Sequence, residues 1–253
     1  MKHLIFQFDF NLTEYRQVAT VKILAVADIH SPRYLDEFTK TLALHEPPDA
    51  FLFAGDMIYR GNAEEYENVL NAIERVLGDE FPIIGCFGNE EYSEVRKDIV
   101  SVVRDRMILL DEQSHVLESN GLRVGIVGTQ GSLDKATSWQ RRNIPSVKGV
   151  YERRAKRAAL LLKKIKNNVD HMILLMHYSP CLETCEGEDT KAFSWLGSRK
   201  FYGVVVEYQP DLVIHGHVHN STRHDVRIGS SIIRNVAFPA VGGITKLDVW
   251  GKD

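Results

Sequence analysis

The run Val21 to Ala27 is apolar almost throughout and stops abruptly at Asp28-Ile29-His30. A strand of that kind, without polar alternation, belongs to a sheet covered on both faces. The same device recurs. Ala50 to Ala54 ends in Gly55-Asp56, and Phe81 to Cys86 runs on into Gly88-Asn89-Glu90-Glu91. A helical stretch follows each polar turn. The first reaches about His45, with Ser31 as N-cap and Pro32 at the first helical position. The second spans about Asn62 to Leu77, and the third about Tyr92 to Arg104. Buried strands alternating with helices predict an α/β fold. Open α/β sheets place ligands at the carboxyl ends of their strands. Three such turns in register, each carrying Asp, His or Asn, predict one shared site along a sheet edge.

After Met107 the pattern shortens. Strands are expected at Ile108-Leu109, His115 to Glu118 and Arg123 to Val127, with Asn120-Gly121 as a hairpin turn. The stretch Thr129 to Gly149 is expected to form part of the wall over the site. Its Trp139 is read as a packing residue, or else as a ring that stacks a base or sugar. A helix from about Val150 to Asn167 carries Ala155, Ala158, Ala159, Leu162 and Ile165 as its core stripe. Its Lys- and Arg-rich outer face is read as a solvated surface. Met172 to Met176 is a strand ending in His177. Leu212 to Ile214 is another, ending in His215-Gly216-His217-Val218-His219. Side chains alternate along a strand, so His217 and His219 project to one side. Thr222 to Arg227, Ser231 to Val236 and Thr245 to Val249 read as antiparallel strands closing a second sheet.

The 253 residues are read as one domain over 21–253, preceded by an extension over residues 1–20. The net charge of -3 gives no global pull toward nucleic acid or an anionic membrane. No apolar run approaches the roughly 18 residues of a membrane span. The apolar N-terminal segment is interrupted by Gln7 and Asp9 and has no leader-like cleavage site. Cys86, Cys181 and Cys185 are an odd number with no disulfide framework, which points to a reducing cytoplasm. Cys181 and Cys185 are read as ordinary thiols. Nothing in the sequence decides for or against a homo-oligomer.

Five strand ends therefore offer Asp28 and His30, Asp56, Asn89, His177, and His217 with His219. Mixed nitrogen and oxygen donors suit Mn, Fe, Zn or Ni rather than Ca. The set is large enough for two divalent ions, and a lone Asp such as Asp56 is a natural bridge. Two ions about 3.5–4 Å apart clamp a phosphate and acidify a shared water.

The ordered blocks D-x-H, G-D, G-N, H and G-H-x-H resemble the calcineurin-like metallophosphoesterase family. Here they are Asp28-Ile29-His30, Gly55-Asp56, Gly88-Asn89, His177 and Gly216-His217-Val218-His219. The resemblance spans roughly residues 21 to 250. It implies a four-layer α/β/β/α architecture, a two-sheet mixed β-sandwich flanked by helices. By position, Asp28, His30 and His219 would hold one ion, Asn89, His177 and His217 the other, and Asp56 would bridge. The implied activity is hydrolysis of a small phosphate ester by a metal-bridging hydroxide, with Asp56, Asn89 and Glu90 at the catalytic positions. One departure matters. The family usually reads G-N-H-[DE], and Glu90 stands where that histidine, thought to protonate the leaving group, would be. Loss of a general acid slows a reaction by about 10²–10⁴, and esters with acidic leaving groups suffer least. A phosphodiesterase is therefore favoured over a monoesterase. The alternative is a metal-binding scaffold of the same fold with little catalysis. A nuclease using Arg141, Arg142, Arg153 and Arg154 is disfavoured by the acidic balance. His215 is read as a packed histidine beside the ligands.

Overall fold

The first half of the chain alternates strand and helix. It runs β1 (Thr20–Val26), α1 (Leu35–Leu42), β2 (Ala50–Phe53), α2 (Glu65–Leu77), β3 (Ile83–Gly85), α3 (Arg96–Val103) and β4 (Ile108–Leu109). Next come β5 (Gln113–Ser119), β6 (Leu122–Thr129), α4 (Ser138–Asn143), α5 (Val147–Ile165), β7 (His171–Met176) and α6 (Arg199–Tyr208). The chain finishes with β8 (Leu212–His215), β9 (Asp225–Ile228), β10 (Ser231–Asn235), α7 (Phe238–Val241) and β11 (Thr245–Trp250). The computed structural model describes residues 19–251. The expected extension therefore lies outside the described residues up to residue 18.

Two sheets result. One has the order β11-β1-β2-β3-β4 and the other β5-β6-β7-β8-β10-β9. Within the first, β1 through β4 pair in parallel and β11 is an antiparallel edge. Within the second, β6, β7, β8 and β10 are parallel, with β5 and β9 as antiparallel edges. Strand alternation explains the layering. From β1, Leu24 and Val26 enter a core with α1 and α2, whereas Ile23 and Ala25 enter the core between the sheets. Phe51 and Phe53 of β2 join the former, and Leu52 the latter. From β7, Ile173 and Leu175 face the inter-sheet core, while Met172 and Leu174 meet α5 and α6. Each central strand is thus buried on both faces, as the apolar runs require, and the layers are α/β/β/α.

Two expectations are corrected and a third is met on one side only. The helix expected directly after Ser31-Pro32 begins only at Leu35, with Tyr34 as N-cap and no side-chain cap. Ser31 is used elsewhere. Its backbone bridges to Ile58, its amide donates to the Met57 carbonyl, and its hydroxyl donates to Glu65 at 2.7 Å. The last strand was expected in the second sheet, but it pairs with β1 of the first, Val21 opposite Val249. Finally, β10 is antiparallel to β9 as expected, but on its other side it pairs with β8 in parallel.

Candidate metal centre

The seven candidate ligands converge at the carboxyl ends of β1, β2, β3, β7 and β8. Asp28, His30 and His219 each place one donor atom within 4.8 Å of the others, and so do Asp56, His177 and His217. His219 Nε2 lies 3.0 Å from Asp28 Oδ1, and His30 Nε2 lies 3.7 Å from the same oxygen. In the second group His177 Nε2 is 3.4 Å from Asp56 Oδ2 and 3.0 Å from Asn89 Oδ1. Asp28, Asp56 and His177 are essentially fully buried.

The backbone aims these groups. Asp28, His30, Asp56 and His217 all have positive φ, between 46° and 69°. Non-glycine residues adopt that left-handed region only at a cost, and such strain gathers at functional sites. The neighbouring glycines are dictated by close approach. A Cβ on Gly216 would meet Asp28 Oδ2 and the Ala27 side chain, and one on Gly88 would meet the Asp56 carboxylate. The His217 amide donates to Asp28 Oδ2 at 2.8 Å, which ties the two ends of the site together.

A buried carboxylate without a partner would be protonated. Burial alone would raise Asp28, but its hydrogen bond with His219 and the nearby imidazoles hold it well below the ordinary range. Burial likewise opposes charge on Asp56, and His177 outweighs it. Burial would keep His177 neutral, yet Asp56 pushes it up to about 9. A site that draws a proton onto an imidazole in this way is one that favours a cation. His177 Nδ1 donates to the Ala54 carbonyl at 2.9 Å, which turns Nε2 toward Asp56 and Asn89. His217 Nε2 donates to the Trp195 carbonyl at 3.2 Å and leaves Nδ1 free. Burial, then His177, pushes His217 down to about 3, so it is a neutral ligand-type imidazole at neutral pH. The donor chemistry therefore fits a pair of divalent ions.

Glu90 sits at the rim of this centre. Its carboxylate accepts from the Arg60 amide at 2.7 Å and from the Tyr92 hydroxyl at 3.4 Å, while its own amide donates to Asp56 Oδ1. Glu90 therefore lines the cleft beside Asn89 and His217 with its carboxylate tied down at the rim. Glu91 had no role assigned from the sequence, and it is the hub of the site. It is buried and accepts from the amides of Asp56, Met57 and Gly88 at 2.6–2.9 Å, and from Tyr66 Oη. Burial, then Asp56, pushes it up to about 7. An acid following the G-N turn was the signal for it. Gln130 had no such signal. It donates to the Gly88 carbonyl at 2.9 Å and so braces the turn that carries Asn89. His215 is buried, with Nδ1 bonded to the Gly216 carbonyl, and burial pushes it down to about 4.

The model of the calcineurin-like phosphoesterases matches residues 21–221. The chain belongs to the calcineurin-like phosphoesterase family. This family is typically dimetal-dependent, and the two clusters are candidate ion sites. Solved calcineurin-like folds agree with the layering. A phosphopantetheinyl hydrolase from Mycobacterium tuberculosis superposes with a TM-score of 0.59 at 16% identity, covering 88% of this chain and 90% of that one. The anchor in the inner membrane complex of Plasmodium superposes with a TM-score of 0.61 at 12% identity, covering 87% and 72% respectively. At such identities these likenesses show the shared fold alone. No curated protein matches the sequence significantly. Among the described residues no helix is long and apolar enough to cross a membrane.

Proposed function

We propose that this calcineurin-like phosphoesterase is a dinuclear metal-dependent phosphodiesterase acting on a small phosphate ester. The observation that carries the reading is the pair of adjoining histidine–carboxylate clusters, Asp28-His30-His219 and Asp56-His177-His217, with Asn89 beside the second. Asp28, His30 and His219 would hold one divalent ion, and Asn89, His177 and His217 the other, with Asp56 between them. When bound, such a pair supplies Lewis acidity toward phosphoryl oxygens and lowers the pKa of a shared water. The protein's own residues do the rest. Glu91 and Gln130 hold the Asp56 and Asn89 turns rigid through backbone amides and carbonyls. His217 and His215 stay neutral at working pH, so the centre is not overloaded with positive charge.

The preference for diesters rests on Glu90. Its carboxylate is held at the rim by Arg60 and Tyr92, so that position presents no proton donor to the leaving oxygen. Substrates whose leaving group departs unprotonated are favoured, and a diester with an acidic alcohol is one. Bis-p-nitrophenyl phosphate with added Mn²⁺, Zn²⁺, Fe²⁺ or Ni²⁺ tests this. Turnover well above an Asp56→Ala control is expected, and none with any metal would reject the reading.

Glu90 also motivates a second reading, a metal-binding scaffold with little turnover. The Plasmodium neighbour of this fold is described as an anchor. That reading predicts bound metal without hydrolysis in the same assay. A cytoplasmic location is proposed only on the odd number of cysteines and the absence of a disulfide framework.

A further inference from the structure

A cleft of about 600 Å³ opens beside the second cluster, lined by Asn89 and His217 together with Tyr92, Leu133, Trp139 and Ile144. This is far more room than a phosphoryl group needs and falls in the range of pockets that hold an organic ligand. Its wall is α4, and α4 is fixed in place. Thr137 and Gln140 form a reciprocal capping box at its start. Gln140, on the buried side of this helix, donates to Tyr178 Oη at 2.9 Å and accepts from Tyr151 Oη at 2.8 Å. The Tyr178 ring packs edge-on against the His217 ring, with centroids 4.7 Å apart. A short chain of contacts therefore sets the position of α4 relative to the metal centre.

That helix turns Trp139 into the cleft. Tyr92 lies against it at 5.8 Å with planes tilted by 30°, yet 46% of Trp139 remains exposed. An indole held rigidly at the edge of a cleft, covered on one side and open on the other, is a stacking platform. The floor is polar and charged, with Glu90, Glu91 and Glu94 lining the cleft as well as Arg96 and Arg154. Arg154 and Arg96 both donate to Gln130 Oε1, at 2.6 and 2.8 Å, and both side chains are largely buried. Arg96 has Asp111 at 3.1 Å, whereas the carboxylate nearest Arg154, Glu112, stands off at 3.9 Å. One wall thus suits a flat ring, and the floor suits oxygen-rich groups between that ring and the phosphate.

We propose that this cleft recognises the organic part of the ester, and that the part it selects is a nucleoside. The base lies on Trp139 and the sugar oxygens face the Arg154–Gln130 floor, with the phosphate at the metal centre. This assignment rests on the phosphoesterase reading above.

The test compares two diesters with the same leaving group, thymidine 5′-(p-nitrophenyl phosphate) and methyl p-nitrophenyl phosphate. A base stacked on an aromatic side chain is worth enough to raise kcat/KM for the nucleoside ester by about 5- to 150-fold over the methyl ester. Trp139→Ala should collapse that ratio toward one, and Trp139→Phe should keep most of it. A ratio near one in the wild type overturns the proposal, as does a Trp139→Ala variant that slows both esters alike. Saturation-transfer NMR with thymidine 5′-monophosphate gives a second readout that needs no turnover. Transfer to the base protons, lost in Trp139→Ala, supports the assignment, and its absence in the wild type overturns it. If neither ester is hydrolysed while the base contact persists, the phosphoesterase reading fails and the cleft assignment stands.

Discussion

Glu90 is the residue at which this chain departs most from its relatives' motif, and its geometry makes the departure testable. Its amide already bonds to Asp56 Oδ1, so the backbone turn does not depend on the side chain. Glu90→His, free of the Arg60 amide, would return a proton donor to the leaving oxygen. We expect kcat for an alkyl diester to rise by up to about 10²-fold. Esters of p-nitrophenol, which need no proton, should change little. An unchanged alkyl rate would mean that another group already supplies the proton or that the defect lies elsewhere. Glycine positions give an opposed pair of predictions. An alanine Cβ at Gly216 would fall 2.5 Å from the Ala27 Cβ and against Asp28, whereas one at Gly203, on the exposed side of α6, meets nothing within 4 Å. Gly216→Ala should destabilise by about 1–3 kcal/mol in urea unfolding and release metal. Gly203→Ala should stabilise by about 0.5–1 kcal/mol. Glu112 adds a pH prediction. Burial raises its folded-state pKa from 4.5 to about 7, so between those values the folded chain binds more protons than the unfolded one. Its contribution is full below pH 4.5 and is lost as pH rises through 7. Glu112→Gln cannot ionise and keeps the acceptor for Thr129. The melting temperature of this variant relative to wild type should climb from pH 5 to pH 8, and a flat difference would refute the shift.

At the scale of elements, what could be read from the chain depended on whether the signal was local. The strand ends carrying Asp28, Asp56, Asn89, His177 and the histidine turn were all legible, because an uninterrupted apolar run leaves a buried strand little alternative. The partner of β11 was not. Nothing in Thr245 to Trp250 says which of two sheets it will join, and that choice is made by contacts more than two hundred residues away, at Val21 and Ile23. The left-handed backbone of Asp28, His30, Asp56 and His217 was equally hidden. Propensity argues against it, and only the surrounding fold enforces it. The helix α4 was missed for another reason. It is six residues long and has no core stripe, so its only signal was the Thr137–Gln140 capping pair. That pair carries a prediction. Thr137→Ala should cost about 0.5–2 kcal/mol locally. Amides of residues 138–143 should exchange faster while global melting moves little. Unchanged exchange would mean that the bonds of Gln140 with Tyr178 and Tyr151 hold the helix without the cap.

For the molecule as a whole, the centre sets a balance between stability and function. Asp28, His30 and Asp56 are buried in left-handed backbone where the two sheets meet, with His217 half-buried beside them, and the folded chain keeps the two aspartates charged with its own imidazoles. Those imidazoles are the candidate ligands themselves, so a divalent cation would do the same neutralisation with more charge. Ligands that bind only the folded state stabilise it by mass action, by about 2.7 kcal/mol when free ligand is one hundred times Kd. In a domain of this size that corresponds to a rise of roughly 5–10 °C in melting temperature. We therefore expect Mn²⁺ or Zn²⁺ to raise the melting temperature of chelator-treated protein by that order, with two ions bound per chain. Asp56→Ala, which removes the carboxylate of the second cluster and the proposed bridge between the two ions, should abolish most of the rise and lower the stoichiometry. His115→Ala, at a half-buried histidine of β5, should leave both intact. A melting temperature indifferent to both metal and chelator would mean that the buried charges are balanced by protons alone, and the proposed dinuclear centre would fall with it.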